Sequence, residues 1–184
     1  MIINLTSPNF LGIVTGVGEC VYDALGQTPA GAPTRYCKLV PSSTIPWDNC
    51  DCGGQLALAI TQVYGAATFP QPFTGGTWAD CKPRWWVAQV LVSVTRCHAA
   101  IDDQGRPPSC DAVFADAVIL EHDRQAVRQA IACCLSEVFD NQQPTLGAWA
   151  LGPSLTLPEL GGCGGSETTF WIGVNACVCP GCSC

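Results

Sequence analysis

The chain is short of charge. Of its 184 residues only 12% are Asp, Glu, Lys or Arg, about half the usual share of roughly 25%. A surface so poor in charge suits coverage by sister subunits or other partners, although a general Gly, Pro and Cys-rich habit gives the same number. Basic residues are the scarcest: eight Lys and Arg stand against fifteen Asp and Glu, for a net charge of −7. Nucleic-acid binders neutralise phosphates with clustered cations; here the cations are scattered, which argues against a dedicated DNA or RNA binder. The first of them is Arg35, so the opening Met1-Ile2-Ile3-Asn4-Leu5 lacks the basic start of a secretory leader. The expectation is a chain that folds in a cytosol. Nor does any segment reach the roughly 20 apolar residues needed to span a bilayer. The longest candidate, Trp85 to Val94, is too short and contains Gln89 and Ser93, so no membrane partner is expected.

Residues for catalysis are also sparse. There are two histidines, His98 and His122. Cys97 and His98 are neighbours near a strand end, so their side chains point to opposite faces and do not make a nucleophile with its base. Glu121-His122-Asp123 has no second ligand one turn away and reads as a solvated helix face. There is no phosphate-binding Gly loop, Walker pattern or Gly-x-Ser-x-Gly elbow. An enzyme is not expected, and neither is a cofactor.

Apolar residues and cysteine are abundant. Hydrophobic residues make up 48% and mean hydropathy is +0.24, enough for a real core in one domain over residues 1–176. The fourteen cysteines pull the other way from the missing leader, because such density marks an oxidising compartment. A protein assembled inside a cell that works outside it satisfies both observations.

Ser7-Pro8 opens a helix as N-cap and first residue. Phe10, Val14, Val17, Val21 and Leu25 follow at helical spacing, and Gly26 stops it. Gly12, Gly16 and Gly18 weaken this helix but let a neighbouring backbone approach. A loop-rich stretch from Thr28 to Gly54 holds a candidate short strand, Arg35 to Val40. Leu56, Leu58 and Ile60 alternate with Ala57, Ala59 and Thr61 as a strand. Ala66 to Arg84 is a long Pro/Gly connection of the kind that contacts partners. In the clearest strand, Trp86, Ala88, Val90, Val92 and Val94 share a face.

Ser109 or Asp111 then caps the longest helix. Val113, Ala117, Leu120, Val127, Ile131, Cys134 and Val138 repeat along it at helical spacing, a stripe read as core, with the helix running to Phe139. Trp149 to Leu157 and Thr168 to Val174 are two more strands, joined by the flexible link Gly161-Gly162-Cys163-Gly164-Gly165. The expected fold is α+β: an antiparallel sheet of about four strands packed by one long helix, with an N-terminal helix, in the order α-β-β-α-β-β.

Cys97 and Cys110 bracket the turn between strand and helix and form the candidate disulfide; it would close a loop of about 14 residues, worth roughly 3 kcal/mol. Cys20 and Cys37 are either core or paired, Cys50, Cys52 and Cys81 lie in loops, and Cys163 is placed to reach Cys133 or Cys134. Residues 177–184 form a cysteine-rich tail. Cys177, Cys179, Cys182 and Cys184 could hold zinc, but only Cys179-Pro-Gly-Cys182 has a two-residue gap, so disulfides or free thiols fit as well. No metal site is assigned.

An ordered set of motifs runs through most of the chain from Trp47 to Val174: Trp47-Asp-Asn-Cys50-Asp-Cys52-Gly-Gly-Gln-Leu-Ala-Leu, Tyr64, Phe69-Pro70, Arg96-Cys97, Asp102-Asp103-Gln-Gly-Arg-Pro-Pro-Ser-Cys110, Ala132-Cys133-Cys134 and Gly161-Gly162-Cys163-Gly164-Gly165. This set resembles the cysteine-rich, tail-terminator-like head-to-tail connector proteins of tailed phages infecting actinobacteria; the Cys177 to Cys184 cluster departs from it. The resemblance implies a virion subunit of the neck, assembled in the host bacterial cytoplasm. Copies would form a ring, commonly hexameric, that caps the tail tube and meets the head-closure or adaptor protein. Genome DNA would pass through the lumen unbound, helped by acidic side chains such as Asp102, Asp103 or Glu121 if they face it. The competing readings are a head-to-tail adaptor or head-closure (stopper) ring, and a metal-binding or redox cysteine-rich protein.

Overall fold

The computed structural model describes residues 10–42, 44–45, 53–74, 85–101, 104–142, 147–160 and 162–175. Helix α1 is Phe10–Leu25, followed by strands β1 (Arg35–Val40), β2 (Gln55–Ala66) and β3 (Trp85–Cys97). Helix α2 is Cys110–Ser136, and a π-helical turn, Glu137–Gln142, continues it. Strands β4 (Gly147–Leu160) and β5 (Cys163–Asn175) close the order. The fold is α+β, as expected, but the sheet has five strands, in the order β1-β2-β3-β5-β4. It is also mixed rather than antiparallel. The added strand is the candidate at Arg35 to Val40, and it runs parallel to β2. A parallel pair needs a crossover of about a dozen residues or more, which the 41–54 segment supplies. The other three pairings are antiparallel.

The core forms where both helices lie on one face of the sheet. Leu56, Leu58, Ala88, Val90, Val92, Val94, Phe170 and Ile172 project from the strands. They meet Ile13, Val14, Val17, Val21 and Leu25 of α1, together with Val127, Ile131 and Leu135 of α2. The period-2 and helical patterns of the sequence therefore pick out the same cluster from both sides. Trp86, expected on this face, is more than a third exposed. On the opposite face Ile45, Ala57 and Ala59 form a smaller cluster with Cys37, Val40 and Leu91.

Gly18 marks the close approach of α1 to the sheet. A Cβ there would crowd Tyr36 Oη and lie 3.2 Å from a Leu58 methyl, so any larger residue would have to push both side chains aside. Gly164 and Gly165, expected in a flexible link, are instead the second and third residues of β5. The reason is local: the His98 ring packs on Gly164, where a Cβ would lie 2.5 Å from its Nε2. The start of the long connection also folds back on the sheet, with Tyr64 Oη donating to Pro70 O at 2.7 Å and the Phe73 amide to Gly65 O at 3.0 Å. The predicted N-cap at Ser7-Pro8, the motif residues Trp47, Cys50 and Cys52, Cys81, Asp102, Asp103 and the Cys177, Cys179, Cys182 and Cys184 tail lie outside the described residues.

Candidate functional site

Helix α2 divides into two halves of different character. Its start follows the sequence: Ser109 is the N-cap and its hydroxyl accepts from the Ala112 amide at 3.2 Å, while Asp111 sits in the first turn, where the helix dipole favours an anion. The C-terminal half, from Asp123 onward, buries Val127, Ile131 and Leu135. The N-terminal half does not bury its apolar residues. Val113 is 51% exposed, Phe114 70% and Val118 37%. The expected core stripe therefore fails at its first turns, because the sheet and α1 cover the helix only farther along.

Asp116 fastens this projecting half to the end of β3. Its Oδ2 accepts the Ala99 amide at 2.7 Å and lies 3.7 Å from His98 Nδ1. Ile101, two residues past Ala99, is 68% exposed, so a fourth large apolar side chain stands at this end of the molecule. Among the described residues His98 Nε2 is buried without a hydrogen-bond partner, beside a cavity of about 180 Å³ lined also by Leu120, Thr156 and Gly165.

The two halves meet at a buried ion pair. Asp123 was expected on a solvated face with Glu121 and His122. Those two are exposed, but Asp123 turns inward and its side chain is 1% exposed, against 8% for Arg96. Arg96 Nε donates to Asp123 Oδ2 at 2.8 Å, and its Nη2 to Gly31 O at 2.7 Å. Thr28 Oγ1 donates to Asp123 Oδ1 at 2.8 Å. One carboxylate thus ties the end of β3, the loop after α1 and the middle of α2. A charged residue between two polar neighbours gives no sequence signal of burial; only the spacing Asp123, Val127, Ile131 carries it.

Sulfur pairs differently from the expected scheme. Cys97 and Cys110 are not joined: Cys110 is an exposed free thiol, and Cys97 stands opposite Cys163 in the β3–β5 register. The physical reason is that the first turn of α2 projects outward and the Asp116 contact, one turn and a half later, does the fastening. The bond that forms is Cys20–Cys134, with Cα atoms 6.5 Å apart, between α1 and α2. Cys163 is also disulfide-bonded, but to neither Cys133, an exposed free thiol, nor Cys134. Cys20, Cys133 and Cys134 line an open groove of about 770 Å³ between the helices.

Burial shifts three ionisable groups. Desolvation raises the Tyr36 phenol far above its usual range, with the Glu19 and Asp23 carboxylates adding to it. Tyr64 is raised by burial, partly opposed by a hydrogen bond to Trp171. Burial raises Glu167. Among the described residues no group of three or more His, Cys, Asp or Glu side chains is placed to share a metal ion, and no helix is long and apolar enough to cross a membrane. No protein-family model and no curated protein matches the chain.

Proposed function

We propose that this chain is a structural virion subunit, a tail-terminator-like protein whose copies form a ring at the phage neck, between the tail tube and the head-closure or adaptor ring. The observation that carries the reading is the apolar face on the first turns of α2, Val113, Phe114 and Val118; Ile101 is exposed too, two residues past the Ala99 amide that Asp116 holds. On a monomer a contiguous exposed apolar patch marks an interaction site. A ring subunit needs such a face, because each copy must contact the next. Few charges overall agree with a surface covered by neighbours, and the acidic balance of −7 agrees with a lumen that DNA traverses without sticking.

The test is direct. Purified protein at rising concentration, examined by sedimentation and negative-stain electron microscopy, is expected to give closed rings. Phe114→Asp is expected to leave a folded monomer with an unchanged circular dichroism spectrum. A wild type that stays monomeric at every concentration, or rings that survive Phe114→Asp, would overturn the reading. Position in a purified particle separates the terminator from an adaptor or stopper ring.

A further inference from the structure

We propose that the groove between α1 and α2 is a thiol–disulfide exchange site in which Cys133 and Cys134 compete for Cys20. Three sulfur atoms meet in one open space: the Cys20–Cys134 bond and the exposed Cys133 thiol all line the same cavity of about 770 Å³. This reading does not depend on the ring.

The step is redox-neutral. The Cys133 thiolate attacks Cys20 Sγ, a Cys20–Cys133 bond forms, and the Cys20–Cys134 bond breaks. The electron pair leaves on Cys134 Sγ, which takes up a proton. One thiol is consumed and one released, so no oxidant is required. The thiolate is the attacking species.

Geometry keeps the competitor close, one local backbone movement away. Cys20 and Cys134 have Cα atoms 6.5 Å apart, inside the range a disulfide tolerates. Adjacent Cα atoms are about 3.8 Å apart, so Cys133 Cα is no more than about 10 Å from that of Cys20. Neighbouring helical residues differ by about 100° around the axis. Cys133 lies three residues before the end of the regular helix at Ser136, where the π-helical turn Glu137–Gln142 takes over. Local opening of that last turn is the motion that turns Cys133 toward Cys20.

The two bonds close loops differing by a single residue, so their chain-entropy terms are indistinguishable. Packing makes the choice. Cys134 packs against the core cluster, whereas Cys133 is exposed, so Cys134 is the major partner and Cys133 the minor one.

The full-length protein would be equilibrated in reduced and oxidised glutathione at pH 8, quenched by acid and alkylation, and mapped by mass spectrometry with fragmentation between Cys133 and Cys134. Both linkages are expected from the wild type, with Cys20–Cys134 the larger. Cys133→Ser is expected to lose the second linkage, and Cys134→Ser to form Cys20–Cys133. A wild type giving Cys20–Cys134 alone, with Cys133 wholly alkylated, would overturn the proposal. So would a folded Cys134→Ser protein in which Cys20 is wholly alkylated. Where Cys134→Ser does not fold, the wild-type map decides.

Discussion

Replacing Asp123 by Ala tests the central polar tie of this fold. The substitution removes the acceptor of Arg96 Nε at 2.8 Å and of Thr28 Oγ1 at 2.8 Å. Arg96 stays behind with its side chain 8% exposed, and a guanidinium cannot shed its proton to escape. Among the described residues its remaining partner is Gly31 O at 2.7 Å. Breaking a buried pair by deleting one member costs about 3–5 kcal/mol, a large part of the roughly 5–15 kcal/mol that holds a domain together. At about 2–4 °C per kcal/mol for a domain of this size, Tm should fall by on the order of 6–20 °C. Thr28→Val should cost only about 1 kcal/mol, because its single hydroxyl proton is also within reach of Leu25 O at 2.9 Å. Urea unfolding by circular dichroism and tryptophan fluorescence, disulfides intact, reads both values and checks that one transition is seen. The apolar double variant Arg96→Met/Asp123→Leu should regain most of the loss, since the desolvation penalty of both ions disappears with them. An Asp123→Ala protein within 1 kcal/mol of wild type, or a double variant no better than the sum of its singles, would refute the reasoning.

Three further outcomes are expected. Tyr36→Phe should stabilise the protein by about 1 kcal/mol, read by urea midpoint, because the Tyr36 hydroxyl is buried without a partner among the described residues and its removal recovers a desolvation penalty. Cys20→Ser leaves a separation of 114 residues without its crosslink and should cost about 2–5 kcal/mol; a thermal melt checks it. Glu167 has a carboxyl pKa raised by burial, so the folded state holds that proton more tightly than the unfolded chain. Its contribution is therefore fully present below the unfolded pKa and is lost as pH rises through the raised folded value. Glu167→Gln should flatten that part of the stability–pH curve; an unchanged slope would show that another group sets it.

Much of the architecture was legible because burial leaves a period. Leu56, Leu58, Ala88, Val90, Val92 and Val94 alternate, Val14, Val17, Val21 and Leu25 follow a helix, and all of them enter one cluster. What failed was reading where an element stops being covered. Val113 and Val127 belong to the same helical stripe, yet the first is half exposed and the second buried, because the coverage of α2 is set by tertiary placement and not by its own sequence. Asp123 failed for the converse reason: its partner Arg96 is 27 residues away, and a long-range ion pair has no periodic trace. Sulfur pairing followed the same rule. Cys97 and Cys110 are near in sequence, but α1 and α2 are near in space, and the bond joins Cys20 to Cys134.

The sheet edges bear on how copies could meet. An exposed edge strand is a template for pairing with another chain. At one edge β1 has only six residues. At the other, β4 is 14 residues long but carries Pro153 and Pro158, which cannot donate to a ladder, and its register with β5 shifts at two places. Both edges are thus poorly suited to strand addition, while α2 keeps three large apolar side chains in water at no benefit to the monomer. Assembly through the helix face predicts that a charge at Phe114 abolishes it and that restoring a regular edge by Pro153→Val does not alter it. Assembly through the edge predicts the reverse pattern, so the two variants together decide which surface joins the copies.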